Sequence, residues 1–326
     1  MTLSLTRREF LHGTLAGAAV LVLSSGELAQ LTAKEPENPA AESPPIIDTH
    51  QHLWDLEQFN LLWIGEKHPL RKNYTLQDYQ QAAAGLNIVG TVYMEVDVAA
   101  EQKQAEADFV VKLCEQHEQS QMLGAVVGAR VANESFAKYV EQFKDHRYVK
   151  GVRQVTAVPL AKDGVELDEN FVAAIRRLGE LNLSFDLCGP CEKLLDSAKL
   201  IEICPDTRFI LDHCGNANVL AKDQTVWKRG IDAIAKHDRV MCKVSGFIAT
   251  AGEKWSVEQL APIVQHVREQ FGPDRLMFGG DWPVCTKTAT LRQWVETLRK
   301  IVHDWPVDEQ RKLFHDNARR YYTLQP

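Results

Sequence analysis

The chain contains 326 residues, of which 45% are hydrophobic and 25% are charged, a composition that is ordinary for a soluble globular protein. The formal net charge is −7 and no run of lysine and arginine occurs, which argues against nucleic acid as a partner. About 280 residues follow the N-terminal leader and linker, enough for one large α/β barrel or two smaller domains.

Residues 1–33 have the pattern of an export signal. Arg7 and Arg8 precede the apolar run LAGAAVLVL at residues 15–23, and this arrangement resembles a twin-arginine signal. The run is too short and too rich in glycine and alanine for stable membrane insertion, and no cysteine near its end would accept a lipid anchor. Residues 34–45 form a polar, proline-rich linker. We therefore expect twin-arginine export to the periplasm or cell envelope of a bacterium.

From residue 46 onward, short apolar segments alternate with amphipathic segments of helical period. The predicted strands span residues 46–50, 88–95, 122–130, 149–155, 182–187, 208–213, 239–245 and 275–281. The clearest predicted helices span residues 101–118, 168–181, 190–203, 257–271 and 289–302. Eight such β-α units predict a (β/α)8 TIM barrel over residues 46–326. No glycine-rich phosphate loop follows a predicted strand, which disfavours a nucleotide-binding sheet.

The first and last predicted strands end in residues with clear chemical potential. His50 and His52 flank Gln51, so strand alternation places both imidazoles on one face, where they can hold a divalent metal or stabilise an oxyanion. Asp281, in FGGDWP, can activate water as a general base or ligate a metal. His213, in LDHCGN, can polarise a carbonyl or ligate a metal, and a core histidine bonded to Asp212 is the alternative.

Other strand ends carry residues suited to substrate binding. Arg153 and Arg130 offer guanidinium groups for a carboxylate or polyol, although Arg130 equally fits a salt bridge within the barrel. Glu95 can reach a metal or pair with a barrel cation. Trp54 and Trp282 are candidates for an apolar wall over a substrate ring, with core packing as the alternative.

The seven cysteines are an odd number and lie far apart, so the sequence predicts no disulfide framework. Cys188 and Cys191 have the C-x-x-C spacing of redox and zinc motifs. No second C-x-x-C pair accompanies them, and we expect structural thiols.

The segments DTHQHLWD, KGVRQ, LDHCGN, FGGDWP and DNARRYYTL together resemble the amidohydrolase superfamily, in the branch of L-fucono- and L-rhamnono-lactone hydrolases. The resemblance extends over roughly residues 45–324. It implies a TIM barrel of the metal-dependent hydrolase type. It also implies that His50, His52, His213 and Asp281 form the catalytic centre and that Arg153 helps to hold the substrate.

This sequence departs from the metal-dependent members of that superfamily in two places. The predicted fifth strand ends in SFDLCGP and has no histidine, and Arg153 stands near the position of a bridging lysine. These departures argue against a two-metal centre. They leave a single divalent ion, zinc or similar, held by some of His50, His52, His213 and Asp281 with Glu95 as a possible further ligand. A metal-free oxyanion site is the other alternative.

The resulting hypothesis is a hydrolase that opens a sugar-acid lactone, with Asp281 activating water and the histidines polarising the carbonyl. A metal-dependent decarboxylase of the same superfamily is the alternative, which the missing fifth-strand histidine disfavours. A carbohydrate-binding barrel without activity is a third hypothesis, which the presence of both strand-one histidines and Asp281 argues against.

The leader generates the first testable prediction. Replacing Arg7 and Arg8 together with lysine keeps the charge but removes the twin-arginine pair that the export machinery reads. We expect the double variant to stay in the cytoplasm, measured by cell fractionation, while a Lys34→Arg control is exported. Unchanged delivery of the double variant to the envelope would show that the leader acts by another route.

Overall fold

The computed structural model describes residues 43–160 and 166–325, so the predicted export signal and most of the predicted linker lie outside the described residues. The strands run over Ile46–Gln51 (β1), Ile88–Met94 (β2), Met122–Gly128 (β3), Val149–Val155 (β4), Ser184–Cys188 (β5), Arg208–Leu211 (β6), Val240–Val244 (β7) and Leu276–Phe278 (β8). Each pairs in parallel with the next, in the order β1 to β8. This arrangement confirms the predicted barrel.

The end of β1 and the segment that follows β8 bring the two edges of the sheet together. Gln51 forms a parallel bridge with Trp282, and the His52 N–H donates to the Trp282 carbonyl at 2.8 Å. Asp48 strengthens this closure, because its buried carboxylate accepts hydrogen bonds from the backbone N–H of Gly280 at 2.7 Å and from the Tyr79 hydroxyl at 2.8 Å. The barrel is therefore nearly closed at the strands that carry the predicted catalytic residues.

Helices lie between successive strands, as a (β/α)8 barrel requires. They span Leu76–Ala83 (α1), Lys103–Glu115 (α2), His117–Ser120 (α3), Phe136–Glu141 (α4), Glu169–Glu180 (α5), Leu194–Ile203 (α6), His213–Asn216 (α7), Thr225–Ala235 (α8), Val257–Phe271 (α9), Leu291–Ile301 (α10), Val307–Arg311 (α11) and Asn317–Tyr321 (α12). Short 3-10 turns occur at Ala100–Gln102, Cys191–Lys193, Phe247–Thr250, Pro273–Arg275 and Val284–Lys287, and a π-turn at Lys312–Asp316. Within the described residues, no helix has the length and apolarity needed to span a bilayer.

Several of these helices begin at residues whose side chains cap the helix N-terminus. Thr75 caps α1 and Thr290 caps α10, each in a capping box with the residue three positions later. Asp168 caps α5 by accepting from the Phe171 N–H at 2.8 Å. Such caps explain why several predicted helix starts lie within two residues of the observed ones.

The barrel interior has an apolar lower layer and a polar upper layer. Side chains of the lower layer pack in one buried cluster that includes Ile47, Val92, Val126, Ile210, Met241 and Met277, closed below by the C-terminal Tyr322 and Leu324. Two residues further along β6 and β7, alternation turns Asp212 and Lys243 to the same side. The polar layer therefore begins where the carboxyl ends of the strands approach the mouth.

Several strand ends differ from the prediction by up to three residues: β8, predicted to reach residue 281, ends at Phe278, and β3, predicted to reach residue 130, ends at Gly128. Two further differences have a backbone reason. β6 ends at Leu211 instead of residue 213, because His213 through Asn216 all have positive φ and form one left-handed turn. β5 starts at Ser184 instead of residue 182, because Asn182 has φ of 57°. Asparagine tolerates this region better than most residues, which makes it a natural strand boundary.

Candidate active site

The four residues predicted as the catalytic centre lie together at the carboxyl ends of β1, β6 and β8. The ring of His50 is 4.9 Å from that of His52 and 4.4 Å from that of His213, centroid to centroid. The Asp281 Oδ1 lies 3.8 Å from the His50 Nε2 and 3.4 Å from the His52 Nε2. We call these four residues the His–Asp cluster.

The orientation of His52 is fixed by the backbone of β2. Its Nδ1 lies 2.9 Å from the carbonyl oxygen of Met94, and because a carbonyl only accepts, Nδ1 must carry the proton. In a neutral ring the Nε2 lone pair then faces the Asp281 carboxylate. Two acceptors at 3.4 Å need a proton or a metal cation between them, so this pair is built to hold a positive charge.

His213 is placed by a left-handed turn and by a glycine. Its Nδ1 lies 2.9 Å from the Ser245 Oγ, so its partner is Ser245 and not Asp212, which the sequence offered as the alternative. A Cβ on Gly246 would lie only 2.2 Å from the His213 Nδ1, so glycine is required for the ring to sit there. In the sequence, the feature that could have identified Ser245 as a site residue is its position at the end of the predicted strand 239–245.

Arg153 lies beneath the His–Asp cluster, and almost all of its guanidinium N–H groups are hydrogen-bonded to other protein groups. Its Nε donates to the Glu95 carboxylate at 2.9 Å, and one terminal nitrogen donates to the Glu95 carbonyl at 2.6 Å. The other terminal nitrogen lies 3.1 Å from the His50 Nε2 and 3.2 Å from the Asp212 Oδ2. Protein acceptors already use this fork, although Arg153 also lines the cavity described below. That Arg153 holds a carboxylate or polyol substrate stays a prediction.

Glu95 supports Arg153 instead of serving as a metal ligand. Its second oxygen accepts from the Lys103 ammonium at 2.8 Å and from the Asp97 N–H at 2.8 Å. Burial opposes ionisation of Glu95, but the charges of Arg153 and Lys103 outweigh burial and lower its pKa to about 2. Sequence reasoning missed Lys103, because a lysine early in an amphipathic helix usually faces solvent.

A second buried charge network continues across the barrel. The Lys243 ammonium lies 2.6 Å from the Asp186 Oδ2 and 3.2 Å from the Asp212 Oδ1, and all three side chains are fully buried. Burial raises the pKa of Asp186 to about 7, while Lys243, His50 and Arg153 overcome the same burial effect at Asp212 and hold its pKa well below the usual range. Asp212 is thus the anion that faces His50, with its Oδ1 3.6 Å from the His50 Nδ1.

Two histidines of the cluster, His50 and His213, are held in the neutral form. Burial lowers the pKa of His50 well below 6.5, against the attraction of Asp212, and burial also lowers the pKa of His213. Neutral imidazoles can accept a proton or bind a cation through a lone pair. Both functions fit a site that must polarise a carbonyl or hold a metal.

A cavity of about 470 Å³ opens above the cluster. Its lining residues come from the loops after seven strands and include Trp63, Val96, Val155, Pro190, Val284 and Lys287, with His52, Arg153, His213 and Asp281 at the base. This volume suits a small organic molecule. Because the cluster lies at the base of the cavity, its side chains can contact the carbonyl group of a bound molecule.

Three residues predicted to bind substrate do not line this cavity. Arg130 pairs with Asp97 at 3.3 Å, as the salt-bridge alternative proposed. Trp54 is buried and donates from its indole to the Lys72 carbonyl at 2.8 Å, and Trp282 is buried against Tyr74 and Tyr79. Both tryptophans are thus packed in the core, which was the alternative stated from the sequence, and Trp54 contacts the lining residue Trp63 edge-on.

Two triads of donor atoms could hold a cation within the described residues: His50, His52 and Asp281, and His50, Asp212 and His213. The first fits one divalent metal, since ligand atoms at zinc distances of about 2.1 Å in a tetrahedron lie about 3.4 Å apart. Arg153 competes for the His50 lone pair. Glu95 belongs to neither triad, so its predicted role as a further ligand is not supported.

The fold and this site define a known class of enzyme. The model of the Amidohydro_2 family, described as Amidohydrolase, matches residues 47–324. The chain therefore belongs to the amidohydrolase family and is a hydrolase of that superfamily.

Similar proteins agree with this assignment. An L-fucono-1,5-lactonase from Burkholderia ambifaria is 24% identical over 285 residues, covering 85% of this chain and 95% of the relative. A zinc-bound amidohydrolase from Burkholderia multivorans superimposes with a TM-score of 0.74 at 21% identity, covering 86% of this chain and all of that one. A probable 2-pyrone-4,6-dicarboxylic acid hydrolase from Acinetobacter baumannii gives a TM-score of 0.69 at 17% identity, covering 86% and 99%.

The Glu95 network makes stability depend on pH. Because its pKa is about 2 in the folded chain and 4.5 ordinarily, Glu95 stabilises the fold above pH 4.5, and this stabilisation is lost as pH falls toward 2. The full loss is at most about 3 kcal/mol. We expect Glu95→Gln to be less stable at neutral pH and to lose less unfolding free energy than wild type between pH 4.5 and 3, measured by urea unfolding.

The exposed Glu101→Gln change is the matched control and should leave the pH slope unchanged. Glu106 acts in a different window, because burial raises its pKa to about 7 and its effect is lost as pH rises from 4.5 toward 7. Equal acid slopes for wild type and Glu95→Gln would contradict the proposed network.

Proposed function

We propose that this enzyme opens a lactone ring by hydrolysis, with Asp281 as the general base. The observation that carries the proposal is the position of the Asp281 carboxylate, at the base of the cavity and 3.4 Å from the His52 Nε2. The relatives named as lactonases support the reaction, since a lactone is a cyclic ester. Sugar-acid lactones, predicted from the sequence resemblance, are the first substrates to test.

The reaction requires one proton to pass from water to Asp281 and then from Asp281 to the ring oxygen. Asp281 accepts a proton from water as the water oxygen bonds to the lactone carbonyl carbon. Neutral His213, bonded through Nδ1 to Ser245, faces the cavity and stabilises the negative charge that develops on the carbonyl oxygen. The ring C–O bond then breaks, the ring oxygen takes the proton from Asp281, and the product is a hydroxy acid.

His50, His52 and Asp281 are the residues that would hold one divalent cation. Such an ion, when bound, lowers the pKa of water and polarises a carbonyl oxygen. Arg153 weakens the binding of a cation at His50. Its hydrogen bond to the His50 Nε2 occupies the lone pair, and its positive charge repels a cation there. We propose a single-ion site in which His52 and Asp281 contribute most.

The decarboxylase alternative receives no support from the barrel interior. The polar position on β5 is Asp186, which is committed to Lys243, and Cys188 follows at the cavity. No histidine of β5 is available, as the sequence predicted.

Export to the periplasm or cell envelope stays part of this proposal. It rests on the twin-arginine pattern of residues 1–33 alone.

Asp281→Asn tests the base directly. The amide keeps the shape of the side chain but cannot accept the proton, so we expect lactone hydrolysis to fall at least roughly 10²-fold with the fold intact. Initial rates, corrected for spontaneous ring opening, and a thermal melt check this.

Asp97→Asn is the matched control, because Asp97 lines the same cavity but pairs with Lys103 and Arg130. It should lose less than about tenfold in rate, below the range expected for a missing general base. An Asp281→Asn enzyme of near wild-type rate on its best lactone would refute the assignment.

Metal binding is tested separately from activity. After chelation and dialysis, we expect wild type to bind one zinc ion per chain by calorimetry and elemental analysis. His52→Ala should bind none at the same concentration, because it removes a ligand whose lone pair is fixed toward Asp281. The exposed His303→Ala change is the control. Two ions per chain would contradict the single-ion site, and none would favour oxyanion stabilisation by the neutral histidines alone.

A further inference from the structure

The cavity above the His–Asp cluster has an apolar side formed by the ends of β4 and β5 and the loop after β5. Val155, Cys188 and Pro190 line this side, and Val155 is 45% exposed although it is a large apolar side chain. Trp63, which is 38% exposed, and Val96 continue the surface toward β2. We call these five residues the apolar wall.

The apolar wall has little capacity to bind hydroxyl groups. Beside the wall, one amide N–H of Asn216 and the hydroxyl proton of Thr250 are already used, by the Gly189 carbonyl at 2.7 Å and the Phe247 carbonyl at 3.0 Å. Thr250 therefore offers a substrate hydroxyl only its acceptor oxygen, and Asn216 its acceptor oxygen and one N–H. Arg153 is committed to Glu95, His50 and Asp212, as shown above. Each hydroxyl that a substrate buries without a hydrogen bond costs about 1–3 kcal/mol. A ring with a hydroxyl on every carbon therefore matches this side of the cavity poorly.

The opposite side of the cavity carries an exposed cation, Lys287. Lys287 ends the 3-10 turn after β8, lines the cavity and is exposed. Within the described part of the chain, no carboxylate lies within salt-bridge distance of its ammonium group. In the circular order of eight strands, β8 lies across the barrel from β4. Lys287 and the β4 end of the apolar wall, at Val155, therefore face a bound molecule from opposite directions.

The base of the cavity favours a neutral reacting group between these two sides. Asp281 contributes a carboxylate there, and the imidazole rings of His52 and His213 lie beside it. An ester carbonyl is neutral and fits this position. An anionic group on the substrate would be repelled by Asp281 and attracted to Lys287.

We infer that the substrate is a lactone with an alkyl or aryl substituent on one side and a single carboxylate on the other. This inference rests on the proposed lactone hydrolysis and narrows it. The substituent lies against the apolar wall, the carboxylate pairs with Lys287, and the ring carbonyl lies over the His–Asp cluster. A fully hydroxylated sugar-acid lactone, the substrate class expected from the sequence resemblance, is then the poorer of the two kinds of lactone.

A set of three lactones tests the substrate class. The probes are a δ-lactone with a pentyl chain and a carboxymethyl group, the same lactone without the carboxymethyl group, and an aldono-1,5-lactone. We expect kcat/KM to be at least about tenfold higher for either pentyl lactone than for the aldonolactone, the scale of a few apolar contacts. Val155→Thr, which keeps the shape but adds a hydroxyl, should reduce this preference severalfold, whereas Val226→Thr on α8 should not.

Lys287→Met tests the carboxylate contact. We expect the ratio of KM for the carboxylated lactone to KM for its neutral analogue to rise about tenfold or more, because the variant removes the charge but keeps the chain length. Lys254→Met, another exposed lysine, is the matched control and should leave the ratio unchanged.

The outcomes separate this inference from the proposed function. A higher kcat/KM for the aldonolactone, with a rate that depends on Asp281, would overturn the inference and leave lactone hydrolysis standing. An unchanged KM ratio in Lys287→Met would overturn the carboxylate contact. If none of the three lactones is opened faster than by the Asp281→Asn variant, the proposed function itself fails.

Discussion

The buried guanidinium of Arg153 is the interaction on which the arrangement of the site depends. It joins Glu95 after β2, Asp212 after β6 and His50 on β1 through direct hydrogen bonds. A buried cation is tolerated only when its donors and its charge are matched, and here three separate strands supply the match. Because the fork is planar and rigid, it also fixes the distances between those strands at the mouth of the barrel.

The same commitment explains what Arg153 does not do. Its charge and its contact with the His50 Nε2 leave His52 and Asp281 as the more accessible pair for a cation or a proton. Recognition of a substrate anion then falls to a residue outside the network, and Lys287 is exposed at the cavity. Organising the site and binding the substrate anion therefore fall to different cations. A buried guanidinium that has lost its water needs its protein partners permanently, so it cannot give them up each time a substrate binds.

Charges in the barrel interior are arranged in compensating sets above an apolar layer. Glu95 lies between Arg153 and Lys103, and Lys243 lies between Asp186 and Asp212. Close packing makes these sets possible, because a Cβ on Gly128 would lie 2.6 Å from the Lys103 ammonium. Some backbone strain lies at the same level, where Asp281 and the turn from His213 to Asn216 hold positive φ. Left-handed residues of this kind cost about 1–2 kcal/mol each, so surrounding contacts must offset them.

The sequence by itself determined the (β/α)8 architecture, because alternating strand and helix patterns, capping residues and turn residues are local signals. It also placed His50, His52, His213 and Asp281 at strand ends, and the parallel order of the barrel is enough to bring such ends together. It did not determine the partners of Arg153, the role of Lys103 or the position of Trp54. These three features depend on which buried groups meet across the barrel. The distances between those groups are set by packing between residues that are far apart in the chain. Only the tertiary structure decided them, because the free energy of a buried charge depends on its neighbours in space, and sequence patterns report only neighbours along the chain.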